Sequence, residues 1–170
     1  IDFDGYGVNL IDETTEGIRI TQHALGPDGK AFDRVRTAGT SDLLTGWWRD
    51  GRTVYRRDLE ADDPYGELAS WAGRGSAPRR SIVDVPFSGG TLGINSLNPN
   101  AFSDADLEFF QDLADVLAAA TQRWHDLNEL EERNALLARQ VEEGRHRTEE
   151  LGKVNAALAE KERLLAGMHE

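Results

Sequence analysis

Cysteine is absent from all 170 residues. That excludes disulfides, thiolate metal sites, cysteine nucleophiles and any covalently held bilin or other thioether-linked cofactor. Basic charge is scarce as well, with 19 Lys and Arg against 31 Asp and Glu, a net charge of −12. Residues 1–124 hold 20 acids and 12 bases, and residues 125–170 hold 11 and 7, so neither part offers the cationic field that nucleic acid or an anionic membrane requires. No apolar run approaches a membrane span and no signal-peptide pattern is present, so a soluble cytoplasmic protein is expected, with no nucleic-acid partner and no membrane contact. The four histidines, His23, His125, His146 and His169, show no metal-ligand spacing, and no metal is expected. The single methionine is Met168, so the chain lacks an initiator residue and is expected to be cut from a longer one.

The hydrophobic period changes near residue 103. Before it, "GYGVNLID" and "GIRITQHAL" alternate as strands joined by the turn "ETTEG", and "AFDRVRT" reads as a third strand. "SDLLTGWWRDG" has a polar start, an apolar cluster and a Gly stop, which predicts a short helix over 41–50. "TVYRRD" reads as a short strand and "DPYGELASWAGRG" as a second short helix. "RRSIVDVPF" and "TLGINSL" read as the last two strands, joined at "SGG", where glycine accepts positive φ cheaply. Five or six mostly antiparallel strands with inserted helices make an α+β domain over residues 1–124.

Ser103 with Asp106 forms an acidic capping box ahead of an apolar run, which marks a helix start. Leu107, Phe110, Leu113, Ala114, Leu117 and Ala118 form a face broad enough to lie on a sheet. Over residues 125–170 the apolar face narrows to a seam, Leu127, Leu130, Leu137, Val141, Leu151, Leu158 and Leu165, which implies a partner helix.

The stretches "GVNLIDE", "VYRRDLEADDPYGEL" and "DVPFSGGTLGINSLNPNAFSDADLEFFQDLADVLAAA" resemble a bacterial GAF domain over residues 5–124, followed by the signalling helix that joins such domains to an output enzyme. The resemblance implies a GAF-like sheet with flanking helices, a role in sensing small molecules, and an output domain beyond this sequence, such as a sensor histidine kinase of a two-component system. Family members usually open with a helix ahead of the first strand; this sequence starts almost directly at the strand, so that helix is expected to be either missing or not included. The Asn-Lys pair of cyclic-nucleotide-binding members is absent, and Phe102 with Asp106 matches only part of their later motif, which argues against a cyclic nucleotide. His169 follows a leucine-rich lead similar to the approach to a kinase phosphoacceptor, and is a candidate for that role.

Alternation supplies the binding candidates. With Tyr6, Val8, Leu10, Ile18 and Ile20 turned toward the helices, the opposite face carries Asn9, Thr21 and His23, joined by Asp84 and Asn95 of the later strands. Trp47, Trp48, Tyr55 and Trp71 lie in the segment that would wall that face. Few, well-placed polar groups against an apolar wall suit a small polar ligand. No nucleophile has an assignable base and "SGG" is not a phosphate loop, so no enzymatic activity is expected of this fragment. The rival readings are a ligand-free dimerisation or spacer module and an enzyme built on the same fold.

With Leu130 and Leu137 at d, the a positions are Leu127, Asn134 and Val141, with Asn155 and Glu162 following in frame. Asn at a favours a parallel two-stranded coil in fixed register, hence a homodimer. After Gly144 a second frame opens, with Leu151, Leu158 and Leu165 at a and Val154, Lys161 and Met168 at d, and the sequence selects neither. A helical hairpin turning back at "EEGRHR" is the monomeric alternative.

Overall fold

The computed structural model describes residues 1, 3–26, 29–39, 42–72 and 79–167, with Trp71 and residues 164–167 described by backbone alone. The elements are β1 (Gly5–Thr14), β2 (Gly17–Leu25), β3 (Ala31–Ala38), α1 (Leu43–Asp50), β4 (Val54–Arg56), α2 (Glu67–Ala72), β5 (Ser81–Phe87), β6 (Gly90–Ser96) and α3 (Asp104–Gly167). The six strands form one sheet in the order β3-β2-β1-β6-β5-β4, with every neighbouring pair antiparallel. The architecture is α+β.

Local chemistry sets the boundaries. Thr14 pairs with Gly17 across a two-residue turn, and the Thr14 hydroxyl donates to the Gly17 carbonyl at 2.8 Å. Asp42 caps α1 by accepting from the Leu44 and Thr45 amides, and Gly51 ends it in the left-handed region at φ 61°. The capping box of α3 closes both ways: the Ser103 amide donates to Asp106 at 2.8 Å and the Asp106 amide donates to Ser103 Oγ at 3.3 Å.

The chain divides into two compact units, Ile1–Gln122 and Arg123–Glu170. In the first, one sheet face packs on the start of α3. Val83, Val85, Phe87, Leu92 and Ile94 bury against Phe102, Phe110 and Ala114, with Leu107, Leu117 and Ala118 partly buried beside them. Leu113, expected on that face, is exposed instead, because helix geometry sets it to the flank of the stripe centred on Phe110 and Ala114. On the other face a smaller cluster of Ile11, Ile18, Ile20 and Ala38 packs with Trp48 of α1.

The second unit is a single helix. Leu127, Leu130, Leu137, Val141, Leu151, Val154 and Leu158 are all more than half exposed on the lone chain, and Asn134 and Asn155 are exposed too. The described positions of both frames after Gly144 therefore stand uncovered. The turn-back at "EEGRHR" is not formed: that stretch is helical, with Arg145 ion-paired to Glu142 and Glu149 and the Thr148 hydroxyl bonded to the Gly144 carbonyl. Leu165 has no described side chain, and His169 lies outside the described residues.

Candidate ligand pocket

The sheet face opposite α3 is only partly filled by the Ile11 cluster. Beside it lies a cavity of about 740 Å³, within the range of small-molecule sites. Register places its floor. Gly7 of β1 stands opposite Gly93 of β6, and Gly93 opposite Asp84 of β5, while Gly7 faces Ala24 of β2 on the other side. Neither Gly7 nor Gly93 has positive φ, so backbone conformation does not call for glycine at either. What glycine provides is space: a Cβ on Gly93 would meet Asp84 Oδ1 at 3.0 Å, and one on Gly7 would meet Ala24 Cβ at 3.4 Å. Strand glycines weaken a sheet and mark places where something approaches its backbone closely.

Around the floor, Asn9 and Asn95 flank the glycines, two residues along each strand. The Asn9 amide donates to Thr91 Oγ1 at 3.1 Å in a buried bond. Asn95 is 9% exposed, and its buried Oδ1 has no hydrogen-bond partner among the described residues. Such an orphan costs stability unless something else bonds to it.

The wall toward β4 is ionic. Arg56 is buried; its Nε and Nη2 donate to Glu67 at 2.8 and 3.2 Å, Nη2 donates to Asp84 at 2.6 Å, and Nη1 donates to the Val54 carbonyl. The guanidinium carbon also lies 4.8 Å from the centroid of the Trp47 ring, which is itself buried against Tyr65. Burial works to lower the Arg56 pKa, but the Asp84 and Glu67 charges outweigh it and hold it above the ordinary value. At Glu67 burial wins over Arg56 and the carboxyl is pushed above its usual range.

Toward β3 the cavity is lined by Gln22, Phe32, Arg34 and Arg36, and α1 adds Leu43, Leu44 and Trp47; Arg79 and Ile82 complete the β5 side. Arg36 is paired with Asp42, the α1 cap. Burial raises the Asp42 pKa, but hydrogen bonding and charge from Arg36, with the Thr45 and Leu44 amides, bring the carboxyl below its ordinary value. Arg34 has no ion pair among the described residues.

Of the residues expected to contact a ligand, Asn9, Trp47, Asp84 and Asn95 line this cavity together. Thr21 and His23 do not. The β1–β2 register sets Thr21 opposite Leu10 and His23 opposite Val8, which puts both on the α3 face, while Ile18 and Ile20 share a face with Asn9 and Ile11. His23 is exposed, with Nδ1 2.8 Å from Asp33 Oδ1. Tyr55 also faces α3, where its hydroxyl accepts from the Phe102 amide at 3.0 Å. The side chain of Trp71 lies outside what the structure describes. Sequence reading missed Gly7, Gly93, Arg34, Arg56 and Glu67. Two glycines spaced for opposite positions on paired strands were the available signal for the floor. No group of His, Asp or Glu among the described residues could hold a metal ion, and none of their helices is long and apolar enough to cross a membrane.

No family model and no curated protein sequence matches the chain. Solved structures do. It is similar to the GAF domain of a two-component sensor histidine kinase from Bacillus halodurans, at 22% identity over 74% of this chain and 85% of that one, TM-score 0.54. It is also similar to a type II free methionine-R-sulfoxide reductase from Thermoplasma acidophilum, at 20% identity over 71% and 80%, TM-score 0.52. A sensor domain and an enzyme thus share this architecture, and at such identities the likeness speaks for architecture alone. The six-stranded antiparallel sheet, its flanking helices and the long C-terminal helix are a GAF-like α+β fold.

Proposed function

We propose that this chain is the small-molecule sensing and signal-transmitting module of a multidomain bacterial signalling protein, dimerising through α3 as a parallel coiled coil. The reading rests on the cavity, in which paired strand glycines leave a floor clear of side chains and the buried Oδ1 of Asn95, on its lining, has no hydrogen-bond partner among the described residues. A spacer with no ligand would have no use for either. The GAF domain of a sensor kinase among the similar structures agrees with this reading.

Transmission follows from alternation in β5 and β6. Asp84 and Gly93 face the cavity, while Val83, Val85, Leu92 and Ile94 on the same strands pack against α3. A ligand that shifts either strand acts on the helix directly. Counted back by sevens from Leu127 and Leu130, the coil frame passes Ala120 and Arg123 and then meets Leu113, Val116 and Phe109, which are exposed in the first unit as a pairing surface requires. After Gly144 the Asn155 and Val154 frames are the two states between which a ligand chooses, so they differ by only a few kcal/mol. Beyond the described residues, His169 is a phosphoacceptor candidate within a sensor kinase.

Native mass spectrometry of the purified chain, followed by cross-linking of Val154→Cys and Asn155→Cys variants, tests this. A dimer whose two cross-linking yields move in opposite directions on ligand addition is expected. A monomer, or yields indifferent to every compound that binds, overturns it.

A further inference from the structure

The lining of the cavity leans positive, with Arg34, Arg36, Arg56 and Arg79 against Asp42, Glu67 and Asp84. Arg36 is engaged by Asp42, and Arg56 by Glu67 and Asp84. Arg34, on β3, has no ion pair among the described residues. The strand register lays one row of facing residues across the floor: Phe32, Ala24, Gly7, Gly93 and Asp84, on β3, β2, β1, β6 and β5. Its middle three carry nothing larger than a methyl group, so a strip of nearly bare backbone about 10 Å wide crosses three strands. Polar groups border the strip on both sides. On the β2 side Gln22 Nε2 stands 3.5 Å from where a Cβ on Gly7 would be, and Gln22 is the cross-strand partner of Arg34. On the β5 side the Asp84 side chain, only 9% exposed, holds Oδ1 3.0 Å from where a Cβ on Gly93 would be. Its other oxygen accepts from Arg56, but no donor reaches Oδ1 among the described residues.

Building on the sensing reading, we infer that the ligand is a flat aromatic acid of the hydroxybenzoate class, its ring on the Gly7 and Gly93 strip, its carboxylate toward Arg34 and Gln22, and its hydroxyl toward Asp84 Oδ1. A planar ring can touch bare backbone over its whole face, which a puckered or branched molecule cannot. One negative charge matches the positive balance of the lining, and a guanidinium pairs with a carboxylate through two parallel hydrogen bonds. The Gln22 amide adds a further donor beside it. This orientation keeps the acid away from Asp84 and offers that carboxylate a neutral donor, which the buried oxygen otherwise lacks. Leu44 and Trp47 of α1 supply apolar contact to the ring.

The test is thermal melting and calorimetric titration of the whole chain with 3- and 4-hydroxybenzoate, each beside its uncharged hydroxybenzamide and its puckered counterpart, hydroxycyclohexanecarboxylate. At least one hydroxybenzoate is expected to raise the midpoint by a few degrees, as saturating ligand does, with both counterparts at least about tenfold weaker. Arg34→Gln is expected to melt as wild type does and to bind the acid no better than the amide. In Gly7→Ala the added Cβ makes ordinary contacts, 3.4 Å to Ala24 and 3.5 Å to Gln22, so the variant is expected to fold and melt no lower than wild type. Its methyl lifts the ring off the floor, and the acid is expected to bind at least about tenfold more weakly. An amide that binds as well as the acid overturns the charge assignment. A cyclohexane acid that binds as well, or a Gly7→Ala variant with wild-type affinity, overturns the placement on the strip. If no hydroxybenzoate binds, the ligand class falls, and the sensing reading stands or falls on its own cross-linking test. If hydroxybenzoates bind as expected but leave the Val154→Cys and Asn155→Cys yields unmoved, the site stands and the sensing reading fails.

Discussion

Arg56 and Asp84 are joined across the β4–β5 edge, Nη2 to Oδ2 at 2.6 Å, with both side chains almost wholly withdrawn from water. Such a pair adds little over well-packed apolar residues, but breaking it leaves a buried charge unmatched. Arg56→Met strands both Glu67 and Asp84 and is expected to lower unfolding free energy by about 3–5 kcal/mol in urea titrations. Arg56→Lys recovers only part of this, because an ammonium cannot reproduce the forked contact with Glu67. A Met variant within about 1 kcal/mol of wild type would show that the cluster does not hold the cavity wall.

Two carboxyls respond to pH with opposite signs. Asp42 has its pKa depressed by Arg36 and the α1 amides, against burial, so its contribution is complete above 3.8 and is lost as pH falls through its lower folded value. Glu67 has its pKa raised, chiefly by burial, so ionising it costs more in the folded chain and stability declines as pH climbs from 4.5 through the folded value. Relative to wild type, Asp42→Asn is therefore expected to gain as pH drops below 3.8, and Glu67→Gln to gain as pH rises above 4.5. Denaturation midpoints measured across pH 3 to 8 check both signs.

Glycine to alanine has contrasting outcomes at two sites. At Gly90, φ is 155° and a Cβ would fall 1.8 Å from the Asn9 carbonyl oxygen, so Gly90→Ala is expected to cost more than about 4 kcal/mol or to yield no folded protein. At Gly144 a Cβ meets nothing within 4 Å, and Gly144→Ala is expected to stabilise the helix by about 1 kcal/mol. Circular-dichroism melts of the two variants read both.

Under the proposed dimer, Asn134 fixes register at some expense of stability. Asn134→Leu is expected to raise the melting temperature of the helical unit while admitting other stoichiometries, seen as added species in sedimentation velocity. A Leu130→Glu, Leu137→Glu double variant should sediment as a monomer with its sheet domain still folded. Unchanged sedimentation in that variant would place the interface elsewhere.

The order of elements was legible from punctuation: the "ETTEG" and "SGG" turns, the Asp42 and Ser103 caps and the change of period near residue 103 all coincide with element boundaries. Phase was not. Alternation within "GIRITQHAL" shows that Ile18 and Ile20 share a face, but not which neighbours they share it with, because that depends on how β2 pairs with β1. Thr21 and His23 were assigned to the cavity by treating both strands as if they began in step. Tyr55 was misplaced for a similar reason, since a three-residue strand offers too little alternation to orient it. Arg56 and Glu67 escaped notice because charged residues read as surface until the fold surrounds them.

The exposed turn at Thr15 and Glu16 looks like a place where extra residues would be harmless. It acts instead as the gear that meshes two strands. One added residue absorbed into the ladder would rotate β2 by half a period, driving Ile18 and Ile20 out of their cluster and carrying Thr21 and His23 to the cavity side. The turn therefore tolerates a change of letters far better than a change of length, and the identity of the groups that line the cavity is set by a segment that lies outside it.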